Sequence, residues 1–195
     1  MKLLAFGNPQ TTKKDLPDAE DEAKTIAENL SGKSLIREKG TLRSFENESP
    51  EYPLVHLATH GCFQKGGCPQ EGLKENTILF ANNETLNIAD AVLLGLENTD
   101  LIVLSACQTA MKADSNGEEI AGVAYLFERA GADAVIASLW NAEDQKTKDI
   151  MVRFYDNLKQ GMTKAEALRQ AKLSDALEDV SPFYWSSLIL IGDGE

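Results

Sequence analysis

Short, almost wholly apolar runs alternate along the chain with stretches whose apolar residues recur every three or four positions. KLLAF (2–6) reads as a first strand, ended by Gly7-Asn8-Pro9. Ala19, Ala23, Ile26, Ala27 and Leu30 then fall on one face of a helix over 18–30, closed by Ser31-Gly32. A short strand near 33–36 and a helix from about 41, with Thr41 as its cap, lead to the strand LVHLA (54–58). The Gly- and Cys-containing loop 61–73 follows. In NTILFANNETLN, Asn82-Asn83 lies between two β-prone runs, the mark of a hairpin, and IADAVLLGL reads as helical. LIVLSA (101–106) is apolar enough to be a central strand covered on both faces.

After a polar loop at 109–117, EEIAGVAYLFERAGA is a helix whose apolar face is Ile120, Val123, Ala124 and Phe127, stopped by Gly131. AVIASLW (134–140) is a second buried strand. KTKDIMVRFYDNLKQG is a helix ended by Gly161, Thr163 to Glu166 form a capping box for one more, and FYWSSLILIG reads as a closing strand. Strands alternating with amphipathic helices predict an α/β domain with a mostly parallel sheet, a single unit over 1–195.

Composition narrows the function classes. The net charge of −12 repels phosphate backbones and anionic lipid, so nucleic acid and membrane surfaces are not expected partners, whereas basic peptides are. No apolar run approaches the roughly 20 residues of a membrane span, and the opening MKLLAFGNPQ is too short in apolar residues for a secretory leader. Three cysteines, Cys62, Cys68 and Cys107, are an odd number; with no targeting signal they imply free thiols in a reducing, cytoplasmic compartment. The turn Gly7-Asn8-Pro9-Gln10 has neither GxGxxG nor a phosphate-loop lysine, which argues against a nucleotide site.

His56 and His60 share the spacing of a zinc-protease helix. However, Leu57 stands where that motif needs its glutamate, and Val-His-Leu-Ala-Thr is strand-like. His60-x-Cys62-x5-Cys68 matches no common structural zinc pattern, so neither metal nor cofactor is expected. His56, inside an apolar run, reads as a buried histidine satisfied by hydrogen bonds. His60 sits where its strand meets Gly61, and Cys107 leaves the end of LIVLSA in the same way. Strand carboxyl ends are where chemistry collects in a parallel sheet. A thiol beside an imidazole gains thiolate character, and the imidazolium can protonate a leaving amine. The separation (107 − 60 = 47 residues) is close to the roughly 50 between histidine and cysteine in caspases. Spacing alone leaves two readings open: a catalytic dyad, or a small buried residue at a strand end.

HLATHG, LIVLSACQTA and GEEIAGVAYLFERAGADAVIASLW together resemble the CHAT domain family, caspase-like and separase-related cysteine peptidases often attached to helical repeats. LLAFGNP, LPDAEDEAKTIA, EALRQAKL and SPFYWSSLILIGD extend the resemblance over nearly the whole chain. It implies a caspase-like three-layer α/β/α sandwich and a cysteine endopeptidase acting through an acyl-thioester, with a protein or peptide substrate and a helical-repeat regulatory partner. Cys107 would be the nucleophile, His60 the acid/base, and the backbone N–H groups of Gly61 and Cys107 the oxyanion hole. Gly61 would permit close, unusual backbone geometry there. Ser138, Leu139 and Trp140 would line the substrate by strand addition, and Asp144 matches an acidic position of the family. The resemblance leaves Cys62 and Cys68 as inert, paired with each other, or competing nucleophiles. Ser181 and Phe183 depart from the family's usual His and Tyr without touching the dyad. Acidic and basic cleavage preferences both occur among such enzymes, and the acidic surface favours a basic side chain. A catalytically silent or partner-activated interaction module is the alternative.

Overall fold

The computed structural model describes residues 2–105, 118–140 and 144–195. Strand β1 (Leu3–Pro9) leads through helix α1 (Pro17–Asn29) to β2 (Lys33–Arg37), then α2 (Leu42–Glu48) and β3 (Leu54–Ala58). Next come β4 (Gly61–Cys62), β5 (Thr77–Leu79) and β6 (Thr85–Asn87), then β7 (Leu101–Leu104), α3 (Glu118–Arg129) and β8 (Ala134–Ser138). Helices α4 (Asp144–Lys159), α5 (Lys164–Leu177) and the short α6 (Pro182–Trp185) precede β9 (Leu188–Gly192). The main sheet runs β2-β1-β3-β7-β8-β9. Its pairs are all parallel except β8–β9, which is antiparallel. This is the mostly parallel, helix-flanked sheet that the alternation of strands and helices predicts.

Alternation along the strands builds the two cores. Leu4, Phe6, Val55, Leu57, Ile102, Leu104, Val135 and Ala137 face one layer, where they meet Ile120, Val123, Ala124 and Phe127 of α3 and Phe45 of α2. A mutual aromatic cluster of Phe6, Phe45 and Phe80 anchors that side, with ring centroids 5.2–5.9 Å apart. Leu3, Ala5, Leu54, Leu101, Val103, Ala134 and Ile136 face the opposite layer of α1, α4 and α5. Because the central strands are buried on both faces, they read as continuous apolar runs.

Local signals fix the ends. The Thr41 hydroxyl accepts from Ser44 N at 3.0 Å, and that of Thr163 from Glu166 N at 3.3 Å. Gly131 stands at φ 111°, and a Cβ there would sit 2.6 Å from Glu97 N, so only glycine ends α3 this way. The hairpin is present, with Ile78 opposite Leu86 and Asn82 and Asn83 at φ 62° and 61°. It joins β4 in a second, three-stranded sheet.

IADAVL is helical as expected, in the 3-10 form (Ile88–Leu93). Two expectations change. The closing segment divides: Pro182, with its fixed φ, starts the α6 turn, and only Leu188–Gly192 is strand. Cys62 and Cys68 are not free thiols. The chain folds back through a Cys68–Leu73 bridge and the two form a disulfide, their Cα atoms 5.9 Å apart. The expectation of free thiols therefore does not hold for these two cysteines. Among the described residues, no helix is long and apolar enough to cross a membrane.

Candidate active site at the carboxyl end of the sheet

Three neighbouring strands end side by side. Leu57 of β3 pairs with Leu104 of β7, and Leu104 with Ala137 of β8. Ser105 N continues the ladder to Leu57 O at 3.0 Å. His60, Cys107 and Trp140 each lie three residues beyond this register-matched row. Cys107 itself and the side chain of Asp144 lie outside the described residues, as does the loop expected at 109–117.

His60 is 4% exposed. Its backbone carbonyl accepts from Leu79 N at 2.9 Å, and the Thr59 hydroxyl beside it donates to Leu79 O at 2.7 Å. The small sheet therefore clamps the segment. The His60 ring contacts the carbonyl oxygen of Lys14 through Nε2 at 2.7 Å. A carbonyl only accepts, so Nε2 carries the proton and a neutral ring has its lone pair on Nδ1. Nδ1 is buried and, among the described residues, has no partner. A buried ring nitrogen with an unused lone pair is a base awaiting a proton donor.

The Lys14 carbonyl is in place because the loop after β1 is tied down at several points. Asn8 adopts φ 46° and is 3% exposed. Its Oδ1 accepts from Leu16 N at 3.0 Å, while Nδ2 donates to Asp15 at 3.0 Å and to Glu20 at 3.2 Å. Thr12 donates through its backbone N–H and its hydroxyl to Asn83 Oδ1, at 2.9 and 2.8 Å. Leu16 packs on Ala19 and Ala58. The hydrogen bond from Asn8, then the Arg37 guanidinium, hold the Asp15 carboxyl below its usual range. The Lys24 ammonium, with Asn8 assisting, does the same for Glu20. Neither Asn8 nor the Lys14 carbonyl stands out in the sequence. Gly7-Asn8-Pro9 signals only a turn, and a backbone acceptor has no residue signature.

Gly61 is buried in β4, opposite Ile78, and is not among the left-handed glycines. Ser138 closes β8, and its hydroxyl donates to Trp140 O at 2.6 Å. β8 is paired on both sides, and the Leu139 N–H is spent on Ser187 O at 2.8 Å. The Trp140 indole N–H donates to Phe183 O at 2.8 Å, and its ring stacks on Phe183 with centroids 6.0 Å apart. His56, as expected, is wholly buried and contacts Tyr155 Oη through Nδ1 at 3.2 Å.

No curated protein matches the chain. Among solved structures, the Arg-specific cysteine proteinase gingipain R superposes with TM-score 0.66 at 11% identity, over 99% of this chain and 46% of that one. The complex of Porphyromonas gingivalis RgpB pro- and mature domains gives 0.67 at 12%, over 99% and 47%. Separase of Saccharomyces cerevisiae, in its securin complex, gives 0.60 at 15%, over 98% and 11%. The chain spans less than half the length of each, and the likeness establishes a caspase-like fold. The model of the CHAT domain matches residues 1–193, and the chain belongs to the CHAT domain family.

Proposed function

We propose that the chain is a cysteine endopeptidase in which Cys107 attacks a peptide carbonyl and His60 handles the proton. The observation that carries this reading is His60 itself: its Nε2–H is committed to the Lys14 carbonyl and its Nδ1 is buried without a partner, at the end of a strand register-matched to the one leading to Cys107. Nδ1 takes the thiol proton, and the resulting imidazolium strengthens its Nε2–H···O=C bond to Lys14. The thiolate adds to the scissile carbonyl, and Nδ1–H then protonates the departing amine, leaving an acyl-thioester. Water activated by the same nitrogen hydrolyses the ester. Backbone N–H groups of Gly61 and Cys107 would hold the developing oxyanion, each worth about 3–4 kcal/mol if well aimed. Ser138 and Trp140 would flank an extended substrate, with Asp144 near its rim.

The net charge of −12 favours a basic side chain at the cleaved position, and the Arg specificity in the name of gingipain R is consistent with it. The test is a fluorogenic peptide panel with Arg, Lys or Asp at that position, run on the wild type and on Cys107→Ala. Cleavage after Arg or Lys that vanishes in the variant is expected; cleavage that persists overturns the assignment.

A second reading is a silent or partner-activated module, switched on by a partner carrying helical repeats. Under that reading an epoxide or chloromethyl ketone probe leaves Cys107 unlabelled until the partner is added.

A further inference from the structure

Beneath the carboxyl end of the sheet, on the α1–α4 side, four polar side chains are closed off from solvent: Glu22, His56, Ser105 and Tyr155, all between 0 and 4% exposed. Each belongs to a different segment. Glu22 is on α1, His56 on β3 and Tyr155 on α4, while Ser105 is the residue that follows β7. The Ser105 hydroxyl donates to Glu22 Oε1. His56 Nε2 lies 3.0 Å from that same oxygen, at ion-pair distance although off the line of a straight hydrogen bond. Burial, and then the Glu22 carboxylate, hold the Tyr155 hydroxyl well above its ordinary range, and its oxygen lies 3.2 Å from His56 Nδ1. The four groups thus form one buried cluster: Tyr155 beside His56, His56 beside Glu22, and Ser105 donating to Glu22.

None of these groups takes part in the proposed chemistry, yet desolvating a carboxylate is costly and an apolar core would have been cheaper. What apolar packing cannot supply is direction. The other side chains of β7 on this face, Leu101 and Val103, are held only by contact. Ser105 is held by a charge-assisted hydrogen bond and, through its backbone N–H, by Leu57 O. It stands two residues ahead of Cys107 in sequence.

We propose that Glu22 is a positioning residue that, braced by His56 and Tyr155, fixes the carboxyl end of β7 through Ser105 and so sets the point from which the Cys107 segment departs. The proposal rests on the peptidase reading for its consequence but not for its test. Glu22→Gln, Ser105→Ala and the double variant are compared with wild type, using enzyme concentrations corrected for folded protein. Two quantities are measured: kcat and KM on the best peptide of the panel, and the rate of iodoacetamide alkylation at Cys107 followed by mass spectrometry. The disulfide keeps Cys62 and Cys68 out of that reaction.

Each single variant is expected to lower kcat about 10-fold with KM within two-fold, and to slow alkylation at least three-fold. Because the two groups act as one unit, the double variant should lose about 10-fold rather than about 100-fold. Unchanged kcat and alkylation in folded Ser105→Ala, or multiplicative losses in the double variant, overturn the proposal. If Glu22→Gln does not fold, Ser105→Ala alone decides through its alkylation rate. If the wild type cleaves nothing while alkylation slows in the variants, the peptidase reading fails and the positioning role stands.

Discussion

Replacing Asn8 tests whether the loop after β1 is what holds His60 in its working tautomer. The side chain makes three hydrogen bonds, and their values differ. Leu16 N is buried and would be left without an acceptor, which costs about 1–3 kcal/mol. Asp15 is exposed, so water replaces the lost amide there, while at half-buried Glu20 the loss is about 0.5 kcal/mol. The backbone at φ 46° adds about 1 kcal/mol for alanine, a cost that glycine escapes. Asn8→Ala should therefore destabilise by roughly 2.5–4.5 kcal/mol and Asn8→Gly by about 1 kcal/mol less, large against a total of about 5–15. Urea unfolding followed by the fluorescence of Trp140 and Trp185 measures both. The exchange rate of the His60 Nε2 proton, read by NMR in folded protein, should rise in both variants as the Lys14 carbonyl loosens. A loss below about 1 kcal/mol for Asn8→Ala, or alanine and glycine behaving alike, would refute the reasoning.

Two further outcomes follow from chemistry away from the dyad. Opening the Cys62–Cys68 loop by Cys68→Ser should cost about 2 kcal/mol, from the entropy a cross-link of this short span removes from the unfolded chain; equal urea midpoints with and without the bond would contradict it. The raised Tyr155 hydroxyl makes folded protein hold a proton that unfolded protein releases near pH 10, so stability is intact below that value and falls as pH rises beyond it. Tyr155→Phe should flatten that alkaline decline in pH-dependent thermal melts.

The parts of the fold legible from sequence were those carried by periodicity. The buried strands at 54–58, 101–104 and 134–138, the apolar face of α3 and both threonine caps lie where the pattern puts them. Segments governed by short-range backbone chemistry were less legible: the α6 turn hides inside an apolar closing run, and the 3-10 helix at 88–93 has the apolar content of an α-helix but not its length. At the site, His60 could be singled out because it ends an apolar strand beside a glycine. The acceptor of its Nε2–H could not, since the contact spans 46 positions and uses only main chain. Likewise the Cys62–Cys68 bond depends on a fold-back at Leu73 that no local pattern announces.

The carbonyl that orients His60 belongs to a lysine whose own side chain points into solvent. Every residue type owns such an oxygen, so evolution is free to rewrite position 14 without disturbing the base. Length is another matter: one residue gained or lost between Asn8 and Leu16 would carry a different carbonyl, or none, to the imidazole. Drift in this segment should thus run through substitution, with indels selected against.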